Sequence, residues 1–271
     1  MTTLEVRGLG KDYRLRDGRR SSTLRAVDDV SFTLDHGKTV ALVGQSGSGK
    51  STVAKLLLQL ERPTRGEILL DGAPVARRGA GLAAYRRTVQ MVFQDPFASL
   101  NPYHTIGHHL DRPIRLHHPA MSDADVQERV LELLERVRLT PAANVARRRP
   151  HELSGGQRQR VAIARALAPE PGVLIADEPV SMLDVSIRLG VLNLLATLQR
   201  EEDLGVLYIT HDLATARHFS DEILVMYKGS IVERGPSDDV ILNPQHEYTK
   251  TLAEAAPNPE RRLGRLRSTS G

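Results

Sequence analysis

Nine consecutive residues, Gly44-Gln45-Ser46-Gly47-Ser48-Gly49-Lys50-Ser51-Thr52, satisfy the spacing G-x-x-x-x-G-K-[ST]. Glycines let such a loop curl until its backbone N–H groups point inward at phosphate oxygens, and a helix that starts there adds its positive N-terminal end. Lys50 can then reach the β- and γ-phosphates of a nucleotide, and Ser51 can put its hydroxyl on a magnesium ion that bridges them. Such a metal needs a carboxylate at the end of a neighbouring hydrophobic strand. The run Val173-Leu174-Ile175-Ala176-Asp177-Glu178-Pro179 supplies it at Asp177. Glu178, next along and pointing elsewhere, is the candidate base that polarises a water for in-line attack on the γ-phosphate. Taken alone, the acidic pair reads better as an ordinary strand end; beside a phosphate loop it reads as phosphoryl-transfer chemistry.

These groups need a scaffold, and the chain alternates strand-like and helix-like segments as an α/β core with a mainly parallel sheet does. Val30–Leu34 alternates apolar residues, turns at Asp35-His36-Gly37 and passes to Thr39–Val43, the predicted strand before the loop. Val173–Ala176 leads to a helix with apolar residues at Ile187, Val191, Leu194, Leu195 and Leu198, and Gly205 precedes another strand, Val206–Thr210. From Asp95 to Arg149, Pro96, Pro102, Pro113, Pro119 and Pro141 interrupt the chain while Val126–Leu139 has helical spacing. That stretch is expected to be a mostly helical insertion. Glu222–Tyr227, Lys228-Gly229 and Ser230–Glu233 read as a hairpin. Residues 257–271 are polar and basic, a tail expected to be mobile.

With 271 residues, 40% hydrophobic and 26% charged, the chain is long enough for a sizeable core and too ordinary in composition for disorder or a fibrous repeat. It has no cysteine, which excludes disulfides, cysteine-ligated zinc and cysteine-held iron–sulfur clusters. No apolar run approaches the roughly 20 residues of a membrane helix, and the N-terminus has no secretory pattern. A cytoplasmic protein is the expectation. The 37 basic and 33 acidic residues leave a net charge of +4, too weak an excess to point to nucleic acid. His104, His108 and His109 have a spacing a metal could use on a helix, but no carboxylates accompany them, so they read as solvated or packing residues.

Leu153-Ser154-Gly155-Gly156-Gln157, followed by Arg158-Gln159-Arg160-Val161-Ala162, decides among phosphate-loop proteins. Ser154 can cap the following helix, while Gly155 and Gly156 leave its N-terminus open to an anion. This run resembles the signature of the ATP-binding cassette ATPases, and Gln157 stands 20 residues before Asp177, as in that family. The resemblance covers about Leu4 to Ala256. It implies a P-loop NTPase cassette: a mainly parallel core sheet, an antiparallel β subdomain and a helical subdomain at about 95–168, within one ATPase domain over 1–256. It also implies that two cassettes pair head to tail, the signature of one closing over the nucleotide of the other. By the same resemblance, Gln94, after the Val89–Phe93 strand, senses the γ-phosphate and magnesium. Asp184, in Ser181-Met182-Leu183-Asp184, communicates between paired sites, although alanine is commoner where Met182 stands. His211 contacts the γ-phosphate as a switch, and Tyr13 stacks on adenine; packing or surface is the plain reading of Tyr13 alone.

Two further stretches resemble the ATPases of oligopeptide, dipeptide and nickel importers: Gln94–Pro102, and Asn243-Pro244-Gln245-His246-Glu247-Tyr248-Thr249, where Glu247 replaces a proline. The resemblance implies an ATP- and magnesium-dependent subunit at the cytoplasmic face of the cell membrane, driving uptake of peptides or similar small solutes. Its expected partners are a second cassette ATPase of a different chain, two transmembrane permease subunits docking at Gln94–Pro113, and an extracytoplasmic solute-binding protein; nucleic acid is not among them. The alternatives are the ATPase of another importer or an exporter, and a cassette ATPase acting on nucleic acid or the ribosome.

Overall fold

The computed structural model of the chain describes residues 2–17 and 20–255, so the basic tail at 257–271 lies outside the described residues. Two long strands open the fold, β1 (Leu4–Asp17) and β2 (Arg20–Leu34), paired antiparallel from Leu4 opposite Leu34. Leu4, Val6, Val30, Phe32 and Leu34 are buried, as one covered face of a sheet demands. Beyond Asp35-His36-Gly37 the chain leaves this sheet for another. There β3 (Thr39–Val43) is buried along its whole length, the pattern of a strand covered on both faces.

After α1 (Lys50–Leu57), the strands β4 (Arg65–Leu70) and β5 (Ala73–Pro74) rejoin the first sheet, whose order is β2-β1-β4-β5. Helix α2 (Gly79–Thr88) then leads to β6 (Val89–Val92), one residue shorter than the expected Val89–Phe93, which leaves Phe93 and Gln94 beyond the strand.

The stretch rich in proline folds as α3 (Pro96–Ser99), α4 (Ile106–His117), α5 (Asp123–Arg136), α6 (Ala142–Arg147) and a short 3-10 turn before α7 (Gly155–Leu167). Ser122 and Asp125 form a reciprocal capping box that starts α5. Val126, Val130, Leu133 and Leu134 of α5 share one core with Ile106, Leu110 and Ile114 of α4. Two details differ from expectation. The helix does not run to Leu139, because Arg138 takes the left-handed conformation (φ 58°) that closes a helix end. Pro113 does not interrupt the chain; it lies inside α4. A proline there withholds a backbone N–H and costs roughly 3 kcal/mol. Burying Ile106, Leu110 and Ile114, all fully covered, offsets that loss.

The remainder holds the expected β7 (Val173–Asp177), α8 (Val185–Glu201), β8 (Gly205–Thr210), β9 (Glu222–Tyr227) and β10 (Ser230–Pro236), and adds three helices that the sequence did not announce, α9 (Leu213–Phe219) after β8, and α10 (Ser237–Leu242) and α11 (Glu247–Ala255) after β10. Lys228 and Gly229 both have positive φ, as a two-residue hairpin turn requires. The second sheet runs β10-β9-β3-β8-β7-β6, and every pair from β9 to β6 is parallel. The fold class is therefore the expected α/β one, with an antiparallel sheet beside the parallel core and helices between β6 and β7. Because β3, β8 and β7 are adjacent and parallel, the residues after them emerge side by side at their carboxyl ends, where α/β sheets bind ligands.

Candidate functional site

Gly44 follows β3 directly, and the loop closes through a hydrogen bond from the Ser48 N–H to the Gln45 carbonyl, 3.2 Å. Gly49 ends it with φ 113°, and a Cβ there would sit 2.4 Å from the Ala26 carbonyl oxygen, so only glycine fits. Lys50 begins α1 yet is 6% exposed. Its ammonium donates to the carbonyls of Gly44 (2.6 Å) and Gln45 (3.0 Å). Burial pulls its pKa below the ordinary lysine value, against the Glu178 and Asp177 carboxylates that would raise it.

Asp177 closes β7 half-buried, and burial followed by the charge of Glu178 raises its pKa, with Lys50 opposing. Glu178 has φ 44°, an uncommon conformation for a residue with a side chain, held by its N–H donating to Ile209 O at 2.9 Å. Its carboxylate is bracketed: Gln94 Nε2 donates to Oε2 at 3.2 Å, and His211 Nδ1 lies 3.1 Å from Oε1. Three side chains from the ends of β6, β7 and β8 thus meet, although they are far apart in sequence.

The phosphate loop, this trio and Tyr13 line one cleft of about 950 Å³. Gln45, Ser46, Gly47, Gly49, Lys50, Ser51 and Thr52 are on its wall. The Tyr13 hydroxyl donates to Glu61 Oε2 at 2.5 Å. Burial, then that carboxylate, pushes the phenol pKa up to about 12. Leu24, Arg25, Ala26 and the Lys228-Gly229 turn also line the cleft. Sequence reasoning did not find these four walls, because nothing in a hairpin turn or a polar strand marks what it faces.

Ser154, Gly155, Gly156, Gln157 and Asp184 do not line this cleft. They form a separate face. Ser154 caps α7 in a reciprocal box with Gln157, as the sequence suggested. Gly156 is buried rather than open to an anion, because a Cβ there would stand 2.5 Å from Ile187 Cγ2 on α8. Asp184 precedes α8 and is exposed.

The sequence model of the family described as ABC transporter matches residues 27–181. The chain belongs to the ABC transporter family. It is 46% identical over 263 residues to the oligopeptide transport ATP-binding protein OppF of Escherichia coli (strain K12), covering 95% of this chain and 78% of that protein. It is 49% identical to the glutathione import ATP-binding protein GsiA of Salmonella typhimurium, over 94% of this chain and 41% of that longer protein. The dimeric post-hydrolysis structure of the ATP-binding cassette MJ0796, bound to ADP and phosphate, superposes with a TM-score of 0.75. It has 32% identity and covers 86% of this chain and 98% of that one. The ABC cassette assignment thus extends over nearly the whole chain, and the oligopeptide and dipeptide importer group is its subfamily.

The donor set of this ABC cassette fits a magnesium nucleotide. A buried ammonium that bonds only to neutral carbonyls can exchange them for phosphate oxygens. Magnesium keeps several waters and needs one or two protein oxygens beside the phosphates. Ser51 and Gln94, on the cleft wall, carry oxygens of that kind, whereas Asp177 is on the wall of the neighbouring groove, which Gln94 also lines. Among the described residues no three His, Cys, Asp or Glu side chains group as a metal site of their own. His104 and His108 instead stack at 4.1 Å, and His109 bonds the Asn101 carbonyl.

Proposed function

We propose that this ABC ATPase hydrolyses MgATP when a second cassette closes over its cleft, and that the cycle drives uptake of peptides or similar small solutes. The observation that carries the reading is the Glu178 carboxylate, held between Gln94 and His211 at the mouth of the phosphate-loop cleft. Lys50 turns from the Gly44 and Gln45 carbonyls to the phosphates, and the loop N–H groups take the charge of the leaving oxygens. Magnesium, held by Ser51, Asp177 and Gln94, would supply further charge compensation there. Glu178 accepts a proton from the attacking water while Gln94 and His211 fix the direction of its carboxylate. Tyr13 offers its ring to the adenine.

The signature face, Ser154 to Gln157 with Asp184, stands apart from the chain's own cleft and is suited to closing the cleft of a partner. The exposed Met182, Val185 and Leu189 beside it support a protein interface there. A groove of about 760 Å³ between Phe93, Gln94, Pro113 and Arg165 is our candidate seat for a permease helix. No helix among the described residues is long and apolar enough to cross a membrane. The likeness to transport ATP-binding proteins supports a place at the cytoplasmic face of the membrane, where permease subunits hold the chain and a solute-binding protein works on the other side. A mild-detergent pull-down from native membranes, with ATP hydrolysis assayed on the same sample, tests this. Two membrane subunits, a second cassette and a peptide-binding protein are expected. Nucleic acid or ribosomes without membrane proteins would overturn it.

A further inference from the structure

The C-terminal stretch Asn243–Thr249 has no role in the site described so far, yet one of its side chains reaches the phosphate loop. The Tyr248 hydroxyl accepts a 2.9 Å hydrogen bond from the backbone N–H of Gln45, 203 residues away. That N–H belongs to the Gly44–Gln45 peptide unit, whose carbonyl accepts the 2.6 Å bond from Lys50. One peptide plane is therefore gripped at both ends, by Tyr248 at its nitrogen and by Lys50 at its oxygen.

The grip is built from several directions. The Tyr248 ring packs on Tyr227 with centroids 4.3 Å apart. Tyr227 ends β9, and in the turn that follows it the Gly229 N–H donates to the Ser48 carbonyl of the same loop at 2.9 Å. The segment carrying Tyr248 is anchored by Glu233 on β10, whose carboxylate accepts the N–H groups of Gln245 (2.8 Å) and His246 (3.0 Å). His246 Nδ1 in turn accepts the Tyr248 N–H at 3.1 Å.

We propose that Tyr248 is a positioning residue for nucleotide binding, holding the Gly44–Gln45 peptide in place when Lys50 leaves its carbonyl for the phosphates. The inference rests on the reading of this loop as the ATP site. A phosphate that engages the Lys50 ammonium loosens its hold on Gly44 O, because the same three donors serve both. With Tyr248 in place the peptide stays fixed and the loop N–H groups stay aimed. Without it, part of the binding free energy is spent on ordering the loop. Tyr248 bonds Gln45 and is not on the cleft wall with Glu178, Gln94 and His211, so its effect belongs to binding rather than to the chemical step.

The test uses the full chain and Tyr248→Phe, which keeps the ring and removes the hydroxyl. In the nucleotide-free protein, amide hydrogen exchange at Gln45 should quicken by about tenfold in the variant. Affinity of the chain for a fluorescent ATP analogue should fall about threefold to tenfold, the value of one hydrogen bond, and in the complex assembled with the second cassette KM for ATP should rise alike while kcat stays within about twofold. Glu233→Gln, which weakens the anchor without touching Tyr248, should shift both readouts the same way and carries the test should Tyr248→Phe fold poorly. Unchanged Gln45 exchange with unchanged affinity, or an equal fall in kcat and kcat/KM at constant KM, would overturn the tether and leave the ATP site standing. A wild-type chain that takes up no nucleotide would overturn the reading of the site, and the positioning role with it.

Discussion

As the proposed base, Glu178 gives the sharpest single-residue expectation. Glu178→Gln keeps the size of the side chain and one acceptor oxygen but removes the base. ATP turnover in the assembled complex should fall at least about 100-fold, with ATP binding by filter assay retained. Gly49→Ala tests the loop instead. A methyl group there meets the Ala26 carbonyl at 2.4 Å on backbone of φ 113°, so stability by urea titration should drop by about 1–3 kcal/mol and nucleotide binding should be lost. Residues of this kind were legible in the sequence because their spacing is itself the chemistry: Gly44 to Thr52 and Asp177-Glu178 each sit on a few consecutive positions. Tyr248 was legible only as part of a family likeness. Its partner is a backbone N–H, and backbone atoms carry no sequence signal.

Elements follow patterning wherever burial is periodic, and depart from it wherever a single backbone angle or a tertiary face decides. The α8 helix appeared at its expected positions since Val191, Leu194, Leu195 and Leu198 are all buried. The end of α5 did not, because Arg138 gives no hint in its side chain that its φ is positive. Strand β1 had no expected counterpart and β2 only over Val30–Leu34, because charged residues such as Arg7, Lys11 and Asp12 interrupt the apolar alternation, while Pro113 shows that a buried helix face can outweigh a missing N–H. Gly156→Ala should separate α7 from α8, since the added methyl meets Ile187 Cγ2 at 2.5 Å; a loss of about 1–3 kcal/mol in chemical denaturation is expected. The anchor of α11 has a pH dependence of known sign. Burial raises the Glu233 pKa, but the N–H groups of Gln245 and His246 outweigh it and hold the carboxyl below the ordinary glutamate value. Its contribution is therefore full above the unfolded-state value and is lost as pH falls through the lower folded one. The chain has no tryptophan, so near-ultraviolet circular dichroism reports tyrosines. The signal of the Tyr227–Tyr248 pair should weaken on acidification below the ordinary glutamate range, and in Glu233→Gln it should be weak already at neutral pH.

On the scale of the molecule, the Ser154–Gln157 segment lies outside the phosphate cleft of its own chain, and our reading makes the two of them half-sites that a second cassette completes. The family resemblance alone implied this, since no periodicity reveals which motifs share a cleft. Mixed with the second cassette and ATP, Glu178→Gln should therefore sediment as a pair, and without ATP as single chains, and adding Ser154→Arg should abolish the pairing. The strand order holds one more consequence. Strands β6 and β7 are neighbours in the sheet, so everything from Phe93 to Gly172 is, topologically, one greatly enlarged crossover connection. Its backbone enters and leaves the core at only two places, and no strand of either sheet lies within it. Moving the helical part would break no ladder hydrogen bond, but it would have to part buried side chains, because α4 and α5 share one apolar core with Val92 of β6, Leu174 of β7 and Val191 of α8. Gln94, two residues past Val92, links that shared core to Glu178.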